Sequence, residues 1–122
     1  MYNDKVINEF QNPQNAGNME NADGIGTAGN EACGDIMKIF LKVEGDIIVD
    51  AKFQTYGCAA AIASSSVATQ LVIGKTLDEA LKITNKMVVE KLGGLPAQKI
   101  HCSVLAETAI AAAIEDYKKN KK

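Results

Sequence analysis

The stretch from residue 36 to residue 55 constrains the fold more than any other part of this sequence. Two runs with alternating side-chain character, 36–43 and 49–55, flank the tripeptide Glu44-Gly45-Asp46, which is typical of a turn. This arrangement predicts an antiparallel β-hairpin, because alternate residues of a strand point to the same face. The residues that fall on one face are Met37, Ile39, Leu41 and Val43 in the first run and Val49, Ala51, Phe53 and Thr55 in the second.

Beyond the hairpin the period changes from that of a strand to that of a helix. Residues 60–73 are rich in Ala, Ser and apolar residues, and Gly74 follows where a glycine commonly ends a helix. The segment Thr76-Leu77-Asp78-Glu79 is a capping box that begins the next helix. Asn85 is predicted to cap a further short helix that stops at Gly93-Gly94. A long terminal helix is indicated by a stripe made of Ala106, Ala109, Ile110, Ala113, Ile114 and Tyr117.

The first part of the chain carries weaker signals. Val6, Ile7 and Phe10 stand at helical spacing and predict a short helix. This helix should end at Asn12-Pro13, because proline disfavours a helical conformation in the residue before it. Residues 17–29 are rich in Gly, Asn and Ala, which predicts a mobile loop or a weak edge strand.

Strands followed by helices indicate an α+β domain. We expect a small antiparallel sheet of about three strands in the N-terminal half, packed with several α-helices, the last of them long. Hydrophobic residues make up 47% of the sequence, enough for a core without disulfide bonds. We therefore predict one domain over residues 1–122, with 1–20 and 119–122 as its more mobile ends.

Charge and hydropathy argue against two classes of partner. The net charge is −2 and the basic residues are scattered except for the run 118–122, so no nucleic-acid-binding surface is indicated. No apolar stretch approaches the roughly 20 residues that span a bilayer, and residues 1–5 do not resemble a signal peptide. We expect a cytoplasmic protein whose three cysteines are reduced thiols.

The three cysteines and the single histidine lie at predicted junctions between elements. Cys33-Gly34-Asp35 precedes the hairpin, Gly57-Cys58 follows it, and His101-Cys102 stands where the terminal helix begins. In extended backbone Cys33 and Asp35 point the same way, whereas adjacent His101 and Cys102 diverge unless a helix start turns both inward. Cys58 and Cys102 are both predicted to precede helices, where free amide groups and the helix dipole favour a thiolate, so we expect these two cysteines to have low pKa values. Glycines beside the cysteines should let the backbone approach a bulky cofactor.

Several chemistries fit this pattern. A free cysteine is by default a small buried hydrophobe, so an inert domain with three unreactive thiols is one alternative. A thiol enzyme with Cys102 as nucleophile and His101 as base is another. The pattern favours a shared site for a metal or reactive thiols, because every cysteine abuts a glycine or the histidine. Three separated thiolates suit zinc or an iron–sulfur centre, and an oxygen ligand such as Asp35 would weaken the retention of iron.

Four motifs around the cysteines are specific enough to compare with known families. They are Ala32-Cys33-Gly34-Asp35-Ile36-Met37-Lys38, Thr55-Tyr56-Gly57-Cys58, Ala61-Ile62-Ala63-Ser64-Ser65-Ser66 and Lys99-Ile100-His101-Cys102-Ser103-Val104-Leu105-Ala106-Glu107. These motifs closely resemble the IscU/NifU-type iron–sulfur cluster scaffold family. The resemblance covers nearly the whole chain, including Tyr2, Lys5-Val6-Ile7 and Asn12-Pro13 near the start.

The resemblance implies an assembly scaffold rather than a turnover enzyme. Sulfur would arrive as a persulfide from a pyridoxal-phosphate-dependent cysteine desulfurase and join iron and electrons from a donor such as a ferredoxin. The resulting 2Fe–2S cluster would pass to apo-proteins. Cys33, Cys58 and Cys102 would be ligands, with Asp35 and His101 as exchangeable or assisting ligands. Cys102 would also accept the persulfide, and zinc could occupy the same site.

The sequence departs from the family pattern in two places. Members served by an Hsp70-type chaperone carry Leu-Pro-Pro-Val-Lys before His-Cys, whereas residues 95–99 read Leu-Pro-Ala-Gln-Lys, which leaves that partnership open. Ala59-Ala60 stands where Gly-Ser is familiar. A related zinc-dependent sulfurtransferase branch remains an alternative function. The presence of Asp35 and His101 favours the scaffold.

Overall fold

A computed structural model of the chain describes residues 2–30 and 34–120. Within these ranges a helix precedes three strands, and further helices follow, so the predicted α+β class with a long final helix is confirmed. The elements are α1 (Asp4–Gln11), β1 (Gly24–Asn30), β2 (Asp35–Glu44), β3 (Ile47–Tyr56), α2 (Ala59–Val72), α3 (Leu77–Leu81), α4 (Asn85–Lys91), a 3₁₀ turn (Ala97–Lys99) and α5 (Ile100–Asn120).

The described strands form one antiparallel sheet in the order β1-β2-β3, and β2 and β3 form the predicted hairpin. Lys42 pairs with Asp50 but Val43 pairs with Ile48, so the register shifts and Val49 is an extra residue on β3. The prediction that Val49 shares the inner face is therefore wrong, and its side chain is 41% exposed while Ile48 is buried. A β-bulge of this kind reverses the alternation of side chains beyond it.

One face of the sheet carries the core, against which α2 and α5 pack. Alternation in β2 buries Met37, Ile39, Leu41 and Val43 as predicted, and the stripe of α5 is buried over Ala106, Ala109, Ile110, Ala113 and Ile114. Tyr117 packs partly buried at the end of this stripe. None of the described helices is long and apolar enough to cross a bilayer.

Strand β1 is the weak edge strand predicted within the Gly-rich segment, and it pairs with β2 over its whole length. It lies unusually close to α5. A Cβ atom at Gly24 would overlap the carbonyl oxygen of Ala113, and one at Gly26 would overlap the backbone of Ala109 and Ala113. Glycines on the strand and alanines on the helix thus let backbone pack on backbone.

The predicted short helix that ends before Asn12-Pro13 is confirmed as α1, but Val6 is its only buried residue among those that the structure describes. Val6 is fully buried, but Ile7 and Phe10 are 40% and 43% exposed, so only one of the three apolar residues that indicated the helix belongs to the core. The helix has one neighbour of extensive contact, α2, and a helix of eight residues offers that neighbour only a narrow face.

The helix boundaries follow the predicted capping signals in most places. Gly74 follows α2 with a φ of +88°, and the Thr76 box is complete because its hydroxyl accepts from the Glu79 amide while the Glu79 carboxylate accepts from the Thr76 amide. The predicted cap Asn85 is wrong, since Thr84 occupies the N-cap position. The Asn85 amide instead donates to Oε1 of Glu107 at 2.7 Å, which ties α4 to α5.

We expect Thr76→Ala to lower the free energy of unfolding by about 1 kcal/mol, because the Glu79 amide loses the hydroxyl oxygen that accepts its hydrogen bond. Thr84→Ala is the matched control, since Thr84 holds the same position in α4 but its side chain makes no capping hydrogen bond. Urea denaturation of both variants measures the difference. Equal losses for the two variants would show that the box in α3 contributes nothing.

Candidate metal site

The beginnings of three elements meet at one end of the sheet. Asp35 is the first residue of β2, Cys58 is the N-cap residue of α2, and His101 and Cys102 lie in the first turn of α5. The structure therefore brings four of the five predicted ligands together. Cys33, the fifth, lies outside the described residues.

The donor atoms of these residues are separated by distances that suit a single metal ion. The Sγ atoms of Cys58 and Cys102 are 3.6 Å apart, and Nε2 of His101 lies 3.6 Å from the Cys102 sulfur. Oδ2 of Asp35 lies 3.2 Å from Nε2 of His101 and 4.0 Å from the Cys102 sulfur. Ligands held at roughly 2.0–2.3 Å from a tetrahedral ion have separations in this range.

The Asp35 carboxylate is held in place by the backbone around it. It is 6% exposed, and its Oδ1 atom accepts a hydrogen bond from the Cys58 amide at 3.1 Å. A Cβ atom at Gly57 would overlap this carboxylate. We predicted that Gly57 makes room for a cofactor, but the space beside its Cα is filled by Asp35. Because Gly57 has no side chain, the Asp35 carboxylate can lie against the backbone just after β3.

The 3₁₀ turn just before α5 determines which ring nitrogen of His101 carries the proton. Its Nδ1 atom lies 3.1 Å from the carbonyl oxygen of Gln98, and a carbonyl only accepts, so Nδ1 carries the proton. In the neutral ring Nε2 then presents a lone pair toward Asp35 and Cys102. A lone pair and a carboxylate oxygen 3.2 Å apart repel each other unless a proton or a metal ion lies between them.

The helix start turns the adjacent His101 and Cys102 toward one site. Because α5 begins at Ile100, the two residues lie inside its first turn, whereas we predicted that Cys102 precedes the helix. The exposed imidazole, 50% accessible, folds back over the buried thiol. The site therefore has a covered sulfur, that of Cys102, and a more open edge at Cys58 and His101.

Cys102 does not have the low pKa that its position at a helix start predicts. Burial, together with the neighbouring Cys58 sulfur and the Asp35 carboxylate, raises its pKa to about 12. Burial disfavours the charged thiolate more than the helix end favours it in the metal-free site. A bound metal cation would supply the opposite charge that this pocket lacks.

We expect alkylation of Cys102 by iodoacetamide at pH 8 to be at least about a hundredfold slower in the folded metal-free protein than in urea. The unfolded thiol ionises near pH 8.5, whereas the folded one stays neutral until far higher pH, so its reaction rate should keep rising through pH 10. Mass spectrometry of labelled peptides measures both rates, with Cys58 as the internal comparison. Equally fast labelling of folded and unfolded chains would contradict this picture.

Two residues near the sulfurs were given no chemical role by the sequence. Burial and then the ionisable sulfur of Cys58 raise the pKa of the Tyr2 hydroxyl, and the same sulfur followed by Tyr2 raises the pKa of Lys99. Lys99 ends the 3₁₀ turn immediately before α5, so its spacing from His101 was a signal available in the sequence. Tyr2 had no such signal, because it lies far along the chain from Cys58, Lys99 and Cys102, the residues that act on its pKa.

The fold and the site together define an α+β protein with a thiol, carboxylate and imidazole cluster of a kind that suits soft metals. The chain belongs to the NifU-like N-terminal domain family, whose model matches residues 1–122. It is 61% identical over 117 residues to the iron-sulfur cluster assembly scaffold protein IscU 1 of Archaeoglobus fulgidus, covering 96% of this chain and 76% of that protein.

Other relatives and solved structures agree with this membership. The chain is 54% identical over 121 residues to the iron-sulfur cluster assembly scaffold protein IscU of Escherichia coli, covering 96% of this chain and 94% of that one. A crystal structure described as a putative SUF-system scaffold protein from Fervidobacterium islandicum superposes with a TM-score of 0.77 at 25% identity, covering 93% and 96% of the two chains.

Proposed function

We propose that this chain is a single-domain scaffold on which a labile 2Fe–2S cluster is assembled and then transferred to apo-proteins. Sulfur reaches it as a persulfide from a cysteine desulfurase, and a donor such as a ferredoxin supplies electrons. The proposed setting is the cytoplasm. Its relatives from Archaeoglobus fulgidus and Escherichia coli are named as iron-sulfur cluster assembly scaffold proteins.

The observation that carries this proposal is the convergence of soft and hard ligands in one small space. Asp35, Cys58 and Cys102 offer donor atoms that all lie within 4.8 Å of one another, and His101 lies beside them. Thiolates bind iron tightly, whereas a carboxylate binds it less well and exchanges more easily. Cys33, just before Asp35 in sequence, is proposed as the third cysteine ligand.

Cys102 is the proposed persulfide acceptor, with Lys99 as the nearby positive charge. Its burial means that sulfur transfer requires the first turn of α5, or the residues over it, to move aside. On exposure the thiol loses the desolvation that holds its pKa high, so a partner that uncovers Cys102 also activates it. Access and reactivity would then be linked.

Zinc is a second candidate for the same donors. Two thiols, an imidazole and a carboxylate at these distances meet the tetrahedral preference of Zn²⁺ as well as that of iron. A zinc-loaded sulfurtransferase would stimulate desulfurase turnover with zinc bound, whereas a scaffold would do so while accumulating a cluster. Metal analysis with desulfurase assays separates the two functions.

Reconstitution in the absence of oxygen tests the main proposal directly. Ferric iron and sulfide, which together have the oxidation level of the 2Fe–2S(2+) cluster, should give the absorption and circular dichroism bands of a protein-bound cluster, with iron and sulfide in equal amounts after desalting. Loss of all iron on desalting, or retention of zinc alone under these conditions, would overturn the proposal.

We expect Asp35→Ala to slow the transfer of a reconstituted cluster to an apo-ferredoxin by roughly tenfold, because the oxygen ligand that exchanges most easily is gone. Asp50→Ala, an acid-to-alanine change on β3, serves as the control for charge. Stopped-flow absorption measures the transfer rate. An unchanged or faster rate in Asp35→Ala would mean that the carboxylate does not make the cluster labile.

A further inference from the structure

A groove separate from the metal site lies between α1, α2 and the end of α4. It contains a cavity of about 680 Å³ whose exposed lining residues include Lys5 of α1, Lys75 in the segment after α2, and Lys91 at the end of α4. Its least exposed lining residues are Val67 and Leu71, which form an apolar floor. We use the name lysine groove for the surface formed by Lys5, Lys75, Lys91, Val67 and Leu71 together with Met87 of α4.

The lysines of the groove form no salt bridge within the described residues, although Lys75 lies near enough to Glu79 to help lower the pKa of that carboxyl group. In residues 2–30 and 34–120, none of the three lies within 4.0 Å of a carboxylate. Glu9 also lines the cavity, but its Oε1 atom accepts hydrogen bonds from the Ser66 hydroxyl at 2.6 Å and the Gln70 amide at 2.9 Å. The groove is thus locally positive in a chain whose net charge is −2.

The shape of the groove favours a peptide over a compact anion. A second cavity of about 270 Å³ shares Leu71 and Lys91 with the first and adds the exposed side chains of Met87 and Glu90, so three lysines and two glutamates line the two cavities together. An apolar strip bordered by lysines therefore continues from α2 to α4. Small anions bind in enclosed sites, whereas an open strip with flanking charges suits an amphipathic segment.

We propose that the lysine groove binds an acidic amphipathic segment of a partner protein. Aliphatic side chains of that segment contact Val67, Leu71 and Met87, and its carboxylates pair with the lysines. The groove shares no residue with the cluster of Asp35, Cys58, His101 and Cys102. A partner can therefore be held here while the metal site stays open for chemistry.

A short synthetic peptide with Leu and Glu at helical spacing provides the test. Titrated into the isotope-labelled full chain at low ionic strength, it should shift amide resonances along α1, α2 and α4. Added salt should weaken binding, because the lysines are exposed. Shifts confined to other surfaces, or equal binding of a peptide with Lys in place of Glu, would overturn the proposal.

Charge reversal identifies the lysines responsible. The double variant Lys75→Glu/Lys91→Glu should bind the peptide about tenfold more weakly. The double variant Lys86→Glu/Lys118→Glu makes the same change at exposed positions outside the groove and should bind as before. Equal affinity of the groove variant and the native chain would refute the assignment. Binding of tripolyphosphate at the same lysines, as tight as that of the peptide, would replace the peptide with a small polyanion.

Discussion

Gly26→Val is expected to lower the free energy of unfolding by about 3 kcal/mol or more, a large share of what holds a small domain together. Valine suits a strand by its own preference, so the loss arises from packing. A Cβ atom at position 26 would overlap the carbonyl oxygen of Ala109 and the amide nitrogen of Ala113. Helix backbone cannot rotate away as a side chain can, so α5 must shift off the sheet.

Urea denaturation followed by circular dichroism measures this loss. Gly26→Ala should give a smaller change in the same direction, and Thr27→Val is the control, because Thr27 is its exposed neighbour on the same strand. If Gly26→Val unfolds at the same urea concentration as the native chain, the close contact of β1 with α5 is not part of the stable structure.

Substitution of any one cysteine should abolish the 2Fe–2S spectrum after reconstitution. In Cys58→Ala or Cys102→Ala the side chain keeps a methyl group but loses its thiol. One coordination position of the iron is then left without a thiolate ligand. For Cys33→Ala the expectation rests on the family resemblance. We expect less than about a tenth of the native absorption in each variant, since ligand loss commonly reduces metal affinity by 10–100-fold or more.

Ser64→Ala is the matched control for these variants. Ser64 is a small buried residue of α2, and its hydroxyl has no hydrogen-bond partner among the described residues, so its removal should leave the fold intact. The control should retain the full spectrum, and all variants should be checked for native circular dichroism. A native spectrum in all three cysteine variants would prove the ligand assignment wrong.

The sequence predicted that Asp35, Cys58, His101 and Cys102 lie close together, but it predicted the chemistry of these side chains only in part. Cysteines at element junctions, with Asp35 and His101 beside them, indicated a shared site because junctions at one end of a sheet lie close together. The high pKa of Cys102 was not predictable, since it depends on burial beneath residues from distant parts of the chain. The role of Gly57 likewise depends on a contact with Asp35, on another strand.

What the sequence alone determined are features that depend on neighbours along the chain. The alternation in β2, the Thr76 box and the stripe of α5 each specify a local conformation by which residues follow one another. What only the tertiary structure decided are the bulge at Val49, the exposure of Ile7 and Phe10, and the raised pKa of Cys102. Each depends on which surfaces meet, and burial is a property of the whole chain rather than of a segment.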